Sequence, residues 1–132
     1  MTEQFNAAAD RLLSQNSEFA ESFSDASMSA APSLRLAIVA CMDVRLNVAE
    51  LFGLQNGEAH ILRNAGGVIT DDVIRSLCLS QRLLGTQEII LLHHTDCGLQ
   101  KVNEDEFKAN LESEHGVAPS WPLGVFDDPY TD

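Results

Sequence analysis

The chain is short of positive charge, with 8 Lys and Arg against 20 Asp and Glu and a formal net charge of -12. No basic stripe is left to neutralise a phosphate backbone, so no nucleic-acid partner is expected. No stretch approaches the roughly 20 apolar residues of a membrane-spanning helix. The segment Met1–Asp10 has no basic start followed by an apolar run, so no targeting leader is read there. These absences lead to the expectation of a cytoplasmic protein with no membrane partner. Cysteine is scarce and odd in number, at Cys41, Cys78 and Cys97, which fits a disulfide framework poorly and suits reduced thiols or a metal site. Dinucleotide and P-loop glycine patterns are missing, so Gly66 and Gly67 read as backbone devices rather than a phosphate cradle. At 132 residues one domain with one site is the most to expect.

What is present alternates between two periodicities. Phe5, Ala8, Ala9, Leu12, Leu13 and Phe19 recur at helical spacing, predicting an N-terminal helix over 5–23 whose apolar stripe must pack on something. A Ser- and Ala-rich connector follows to Ser33. Residues 1–33 therefore read as a helical arm and 34–132 as the main α/β domain. Leu36 to Ala40 is an unbroken apolar run, as in a strand buried on both faces. A short helix over 46–52 is stopped by Gly53, and Asn56-Gly57 turns the chain into a second strand over 59–63. Thr70 caps a helix carrying Asp71 and Asp72 in its first turn, where the helix dipole favours them. Cys78 falls on that helix's apolar face and is expected to be a buried small hydrophobe. A third strand covers 87–93, and a polar helix over 103–115 is closed by Gly116. Strands alternating with helices predict a parallel β-sheet flanked by helices. In such folds ligands bind at the carboxyl ends of the strands, where Cys41, Asn64, His94 and Cys97 fall.

His94 and Cys97 stand three apart in His94-Thr95-Asp96-Cys97, close enough for an imidazole and a thiolate to share a metal. Cys41 brings a third soft ligand from a neighbouring strand end. Zinc accepts such mixed sets, and a catalytic site keeps three protein ligands and leaves the fourth position for water. The spacing alone is weak, because a core cysteine and a hydrogen-bonded histidine produce it equally well. The stretch Cys41-Met42-Asp43-Val44-Arg45 adds context. Alternate residues of an extended segment point the same way, bringing Asp43 and Arg45 beside the candidate metal as a bidentate pair. An ordinary surface ion pair is the competing explanation. His60, His93 and His115 are not required as ligands.

Cys-x-Asp-x-Arg at 41–45, Arg-Asn-Ala-Gly at 63–66 and His-x-x-Cys-Gly at 94–98 together resemble the signature of beta-class carbonic anhydrases. The likeness covers about Leu34 to Leu99, and the overall length is similar to that of the small bacterial and mycobacterial members. It implies Zn2+ held by Cys41, His94 and Cys97, with Asp43 and Arg45 as the catalytic pair and Asn64, Ala65, Gly66 and Gly98 as a supporting loop. The implied enzyme is a lyase, carbonate dehydratase, in which a zinc-bound hydroxide hydrates CO2 reversibly to bicarbonate. Two thiolates and a neutral imidazole leave zinc formally uncharged, so its water ionises at higher pH than at a tris-histidine site. In some members the aspartate moves onto zinc as a fourth ligand and closes the site. Hydrolysis of CS2 or COS on the same scaffold, or zinc binding without turnover, remain alternatives. The resemblance also implies a homodimer or higher homo-oligomer. Three of the four prolines lie beyond residue 117, and no β-branched run accompanies them, so no fourth strand is expected there. A C-terminally shortened chain with an open third-strand edge is the expectation.

Overall fold

The computed structural model describes residues 8–128; Phe5, where the first helix was expected to begin, and Pro129–Asp132 lie outside them. A first helix, α1, covers Ala8–Ser22, and none of its residues is buried. The sheet has three strands, β1 at Leu36–Cys41, β2 at Ala59–Asn64 and β3 at Glu88–Leu92. Their spatial order is β2-β1-β3 and both pairings are parallel. Helices α2 (Val48–Phe52), α3 (Asp71–Leu84) and α4 (Glu104–His115) complete the α/β architecture.

β1 is the centre of the molecule because its residues fill space from both sides of the sheet. Ala37, Ile38, Val39 and Ala40 are wholly buried, and Ile38 and Ala40 pack with Val48 of α2. The register sets Cys41 opposite Asn64 on β2 and Ala40 opposite Leu92 on β3. The chain therefore leaves β1 in one direction to build β2 and returns across it to build β3. The gap between the carboxyl ends of β1 and β3 is the point where winding reverses, the place where parallel sheets open a ligand crevice.

Local chemistry sets the element ends. Thr70 caps α3, its hydroxyl oxygen accepting from the Val73 N–H at 3.3 Å, and Gly85 ends the helix in the left-handed region. Asn47 and Asn103 cap α2 and α4 in the same way. At Gly67, with φ +63, an added Cβ would come within 2.9 Å of the Ala40 carbonyl carbon and the Cys41 nitrogen. Only glycine lets the turn after β2 lie this close on the end of β1.

One expectation about packing is corrected. Cys78 is exposed, because the inward face of α3 runs through Val73, Leu77, Ser80 and Leu84, and Cys78, one residue past Leu77, is rotated away by about 100°. Among the described residues of one copy the α1 stripe has no cover, with Leu13 and Phe19 exposed to 65% and 60%. As expected, β3 has an open outer edge among the described residues; Ile89, Ile90 and Leu91 are exposed.

Candidate metal centre

Cys41 closes β1, while His94 and Cys97 lie on the segment that leaves β3. Both thiols are buried and unpaired, with their sulfurs 3.9 Å apart. One donor atom from each of Cys41, His94 and Cys97 can be chosen so that all three lie within 4.8 Å of one another. The His94 Nδ1–H donates to the Thr95 carbonyl at 2.9 Å, which fixes the tautomer and leaves the Nε2 lone pair free. That Nε2 is buried without a hydrogen-bond partner, a costly arrangement unless another ligand receives it. Tetrahedral zinc, with Zn–S bonds of about 2.3 Å, separates two sulfurs by about 3.8 Å. The donor set present here fits it.

The thiols are electrostatically unlike. Burial opposes ionisation of Cys41, but the backbone N–H groups of Asp43 and Gly66 favour the thiolate, and the thiol lies below its ordinary value. Burial, with the charges of Cys41 and Asp43 beside it, pushes Cys97 up. A dication between them would favour both thiolates.

Asp43 and Arg45 form the bidentate pair the sequence predicts, Nε to Oδ1 at 2.9 Å and Nη2 to Oδ2 at 2.6 Å. The Arg45 backbone N–H adds a third bond to Oδ1 at 2.9 Å. These Arg45 contacts hold the Asp43 carboxyl well below the usual carboxylate range. Asp43 Oδ2 stands 3.9 Å from His94 Nε2, so the ionised carboxylate borders the donor cluster. An open cleft of about 360 Å3 leads to it past Ala65, Gly66, Leu99 and Val102.

The loop after β2 supports this arrangement. The Asn64 side chain both donates to the Val68 carbonyl at 2.8 Å and accepts its N–H at 3.0 Å, closing the turn that carries Ala65, Gly66 and Gly67. Gly66, at φ +83, lies under Leu99 and Phe126. Gly98 starts a 3-10 turn, and a Cβ there would meet nothing within 4 Å, so packing does not demand glycine at this position. His93 stacks on Phe126 at 5.1 Å between ring centroids.

Three contributing residues escaped the sequence reading. Arg63 donates through Nε to the Cys41 carbonyl and through Nη2 to the Asp43 carbonyl, both at 2.9 Å. Gln100 accepts the Cys97 N–H at 3.1 Å and donates to the Asp127 carbonyl at 2.8 Å. Asp96 binds Arg45. Arg63 sat inside a quoted motif, but nothing local announces that its targets are carbonyls at and just beyond the end of β1.

A parallel sheet with a Cys-His-Cys donor cluster at its winding reversal defines a class of metalloprotein, and comparison with known proteins resolves which one. The family profile described as carbonic anhydrase matches residues 36–122. Beta-carbonic anhydrase 1 of Mycobacterium tuberculosis is 50% identical over 123 residues, covering 93% of this chain and 75% of that protein. The crystal structure of carbonic anhydrase from Streptococcus mutans superposes with a TM-score of 0.85 at 44% identity, covering 95% of this chain and 76% of that one. The carbon disulfide hydrolase of Saccharolobus solfataricus is 51% identical over 72 residues, 54% of this chain and 35% of that protein. The chain belongs to the beta-carbonic anhydrase family, whose enzymes are lyases that use zinc.

Proposed function

We propose that this chain hydrates CO2 reversibly to bicarbonate, with zinc held by Cys41 Sγ, His94 Nε2 and Cys97 Sγ. The observation that carries the reading is the buried, partnerless Nε2 of His94 facing two buried thiols 3.9 Å apart. Zinc on such a set keeps one position for water and lowers that water's pKa, supplying a nucleophile under mild conditions.

The chain's own residues supply orientation. Asp43 is too weak a base, held ionised by Arg45, to take a proton from the reacting water. It accepts a hydrogen bond instead and turns the water's remaining lone pair toward the carbon of CO2. Arg45 fixes that acceptor, and Arg63 fixes the backbone on which Cys41 and Asp43 sit. Ala65, Leu99 and Val102 give the cleft an apolar wall suited to a linear, uncharged substrate. With zinc bound, water would replace the product bicarbonate and the released proton would pass to solvent or buffer through the open cleft.

The carbon disulfide hydrolase relatives support a second reading, CS2 hydrolysis, since the cleft chemistry suits either triatomic. The beta-carbonic anhydrase match covers 93% of the chain, against 54% to 65% for carbon disulfide hydrolases, which favours CO2. The same family reading carries a cytoplasmic enzyme acting as a homo-oligomer, with 1–33 as an arm to a second copy. Stopped-flow CO2 hydration, with zinc content and CS2 turnover measured on the same sample, tests the proposal. One zinc per chain without CO2 hydration would overturn it.

A further inference from the structure

We infer that Asp96 is a positioning residue: it anchors the outer edge of the Arg45 guanidinium and, through Arg45, keeps the Asp43 carboxylate off the metal cluster. The inference rests on the zinc reading above and assigns a role to a side chain outside the Cys-His-Cys set and the Asp43–Arg45 pair.

Asp43 borders the cluster, 3.9 Å from His94 Nε2, and a carboxylate is itself a competent zinc ligand. What holds it back is Arg45, which engages both of its oxygens. Arg45, however, is 61% exposed in its side chain, so no surrounding wall fixes a long and otherwise mobile group. Asp96 supplies the missing constraint. Its Oδ2 accepts from Arg45 Nη1 at 3.1 Å and its backbone carbonyl accepts from Nη2 at 3.0 Å. The guanidinium thus makes two bonds to Asp43 on one edge and two to Asp96 on the other.

The backbone bond requires the Asp96 carbonyl to face Arg45, and Asp96 takes φ +56, a left-handed conformation that Asp and Asn tolerate better than most residues. Lys101 Nζ holds the remaining oxygen, Oδ1, at 2.5 Å. An isolated exposed ion pair contributes little. Here a planar fork already fixed by one carboxylate loses little further freedom on meeting the second, so the anchor acts on orientation more than on stability. Asp96 also lies between His94 and Cys97, so the segment that delivers two ligands also delivers the brace for the dyad.

The test uses cobalt(II)-substituted protein, with azide as the probe of the open coordination position, followed by visible absorption. Asp96→Asn keeps the left-handed preference and Asp96→Gly relieves it; both remove the carboxylate, and metal content is measured for each. The expected result is parental metal content with azide binding weakened about tenfold in both variants. Adding Asp43→Asn to Asp96→Asn should restore azide binding, because the competing carboxylate is gone. A merely structural role for Asp96 predicts no such rescue. Azide titrations identical to the parent, weakening that Asp43→Asn does not reverse, or metal loss in both Asp96 variants would each overturn the role of Asp96. A parent that holds metal but ignores azide would overturn it too, since Asp43 would then already occupy the position. A parent that binds neither zinc nor cobalt would instead sink the zinc reading itself.

Discussion

At Cys41 and Cys97 burial and ionisation pull against each other, and a bound dication resolves the conflict by stabilising thiolates that water no longer reaches. Cys41→Ser and Cys97→Ser should therefore lower zinc affinity by more than about 100-fold, measured by competition with a chelator, whereas Cys78→Ser should leave it unchanged because Cys78 faces solvent on α3. Full zinc occupancy in Cys97→Ser would refute the ligand assignment. Asp43→Asn retains the shape of the carboxylate but not its charge, and should keep the zinc while reducing kcat for CO2 hydration by about 100-fold. Parental turnover in that variant would remove Asp43 from the mechanism. The grouping of Cys41, His94 and Cys97 and the Asp43–Arg45 pair were legible in the sequence because residue type itself suggests their chemistry. Arg63 and Asp96 were not: one acts on carbonyls at and just beyond the end of β1, the other through a left-handed backbone that no residue type dictates.

Among the elements, the strands and helices were legible because apolar runs, caps and terminating glycines mark them, and the ends shifted by only a few residues. The order β2-β1-β3 was not, since periodicity says nothing about which side of β1 a crossover lands on. The exposure of Cys78 escaped for a related reason: α3 is only partly covered, and apolar residues alone do not locate its inward face. The turn after β2 offers a sharper test of element geometry. Gly67→Ala places a Cβ 2.9 Å from the backbone of Ala40 and Cys41 at φ +63, and should cost about 1–3 kcal/mol in urea denaturation; an unchanged midpoint would mean the turn shifts freely. Helix α4 has its own pH-dependent tie. Glu104 Oε1 accepts the Leu123 N–H at 2.7 Å, and that bond, with Lys108 nearby, holds the carboxyl below its ordinary value. A folded pKa below the unfolded one contributes stability above the unfolded value, which is lost as pH falls through the folded one. The stability gap between parent and Glu104→Gln should thus stay level from about pH 7 to about pH 5 and narrow as pH falls below about 4.5, and a gap independent of pH throughout would mean the contact does not depend on charge.

For the whole molecule, α1 poses the open energetic question. A 15-residue helix with no buried residue gains nothing from tertiary packing, and isolated helices of that length are marginal in water. Its apolar residues Leu12, Leu13 and Phe19 are 57%, 65% and 60% exposed, and Phe19 meets only Phe23, at 5.4 Å between ring centroids, among the ring contacts of the described residues. Among the described residues of one copy, α1 has an apolar face and no surface under it. A second copy offers apolar side chains of its own that are exposed in the single chain, Leu79 and Leu83 one turn apart on α3 and Leu91 on β3. Dimerisation through the arm would bury both sets and stabilise α1 at the same time. Leu13→Asp combined with Phe19→Asp should then shift the protein to a smaller species in size-exclusion chromatography, with loss of helical ellipticity and a lower Tm. Zinc content should not change, because Cys41, His94 and Cys97 all lie in the body of the domain. If elution volume, ellipticity and Tm match the parent, the arm is not the contact between copies, and α1 must be held by some other partner.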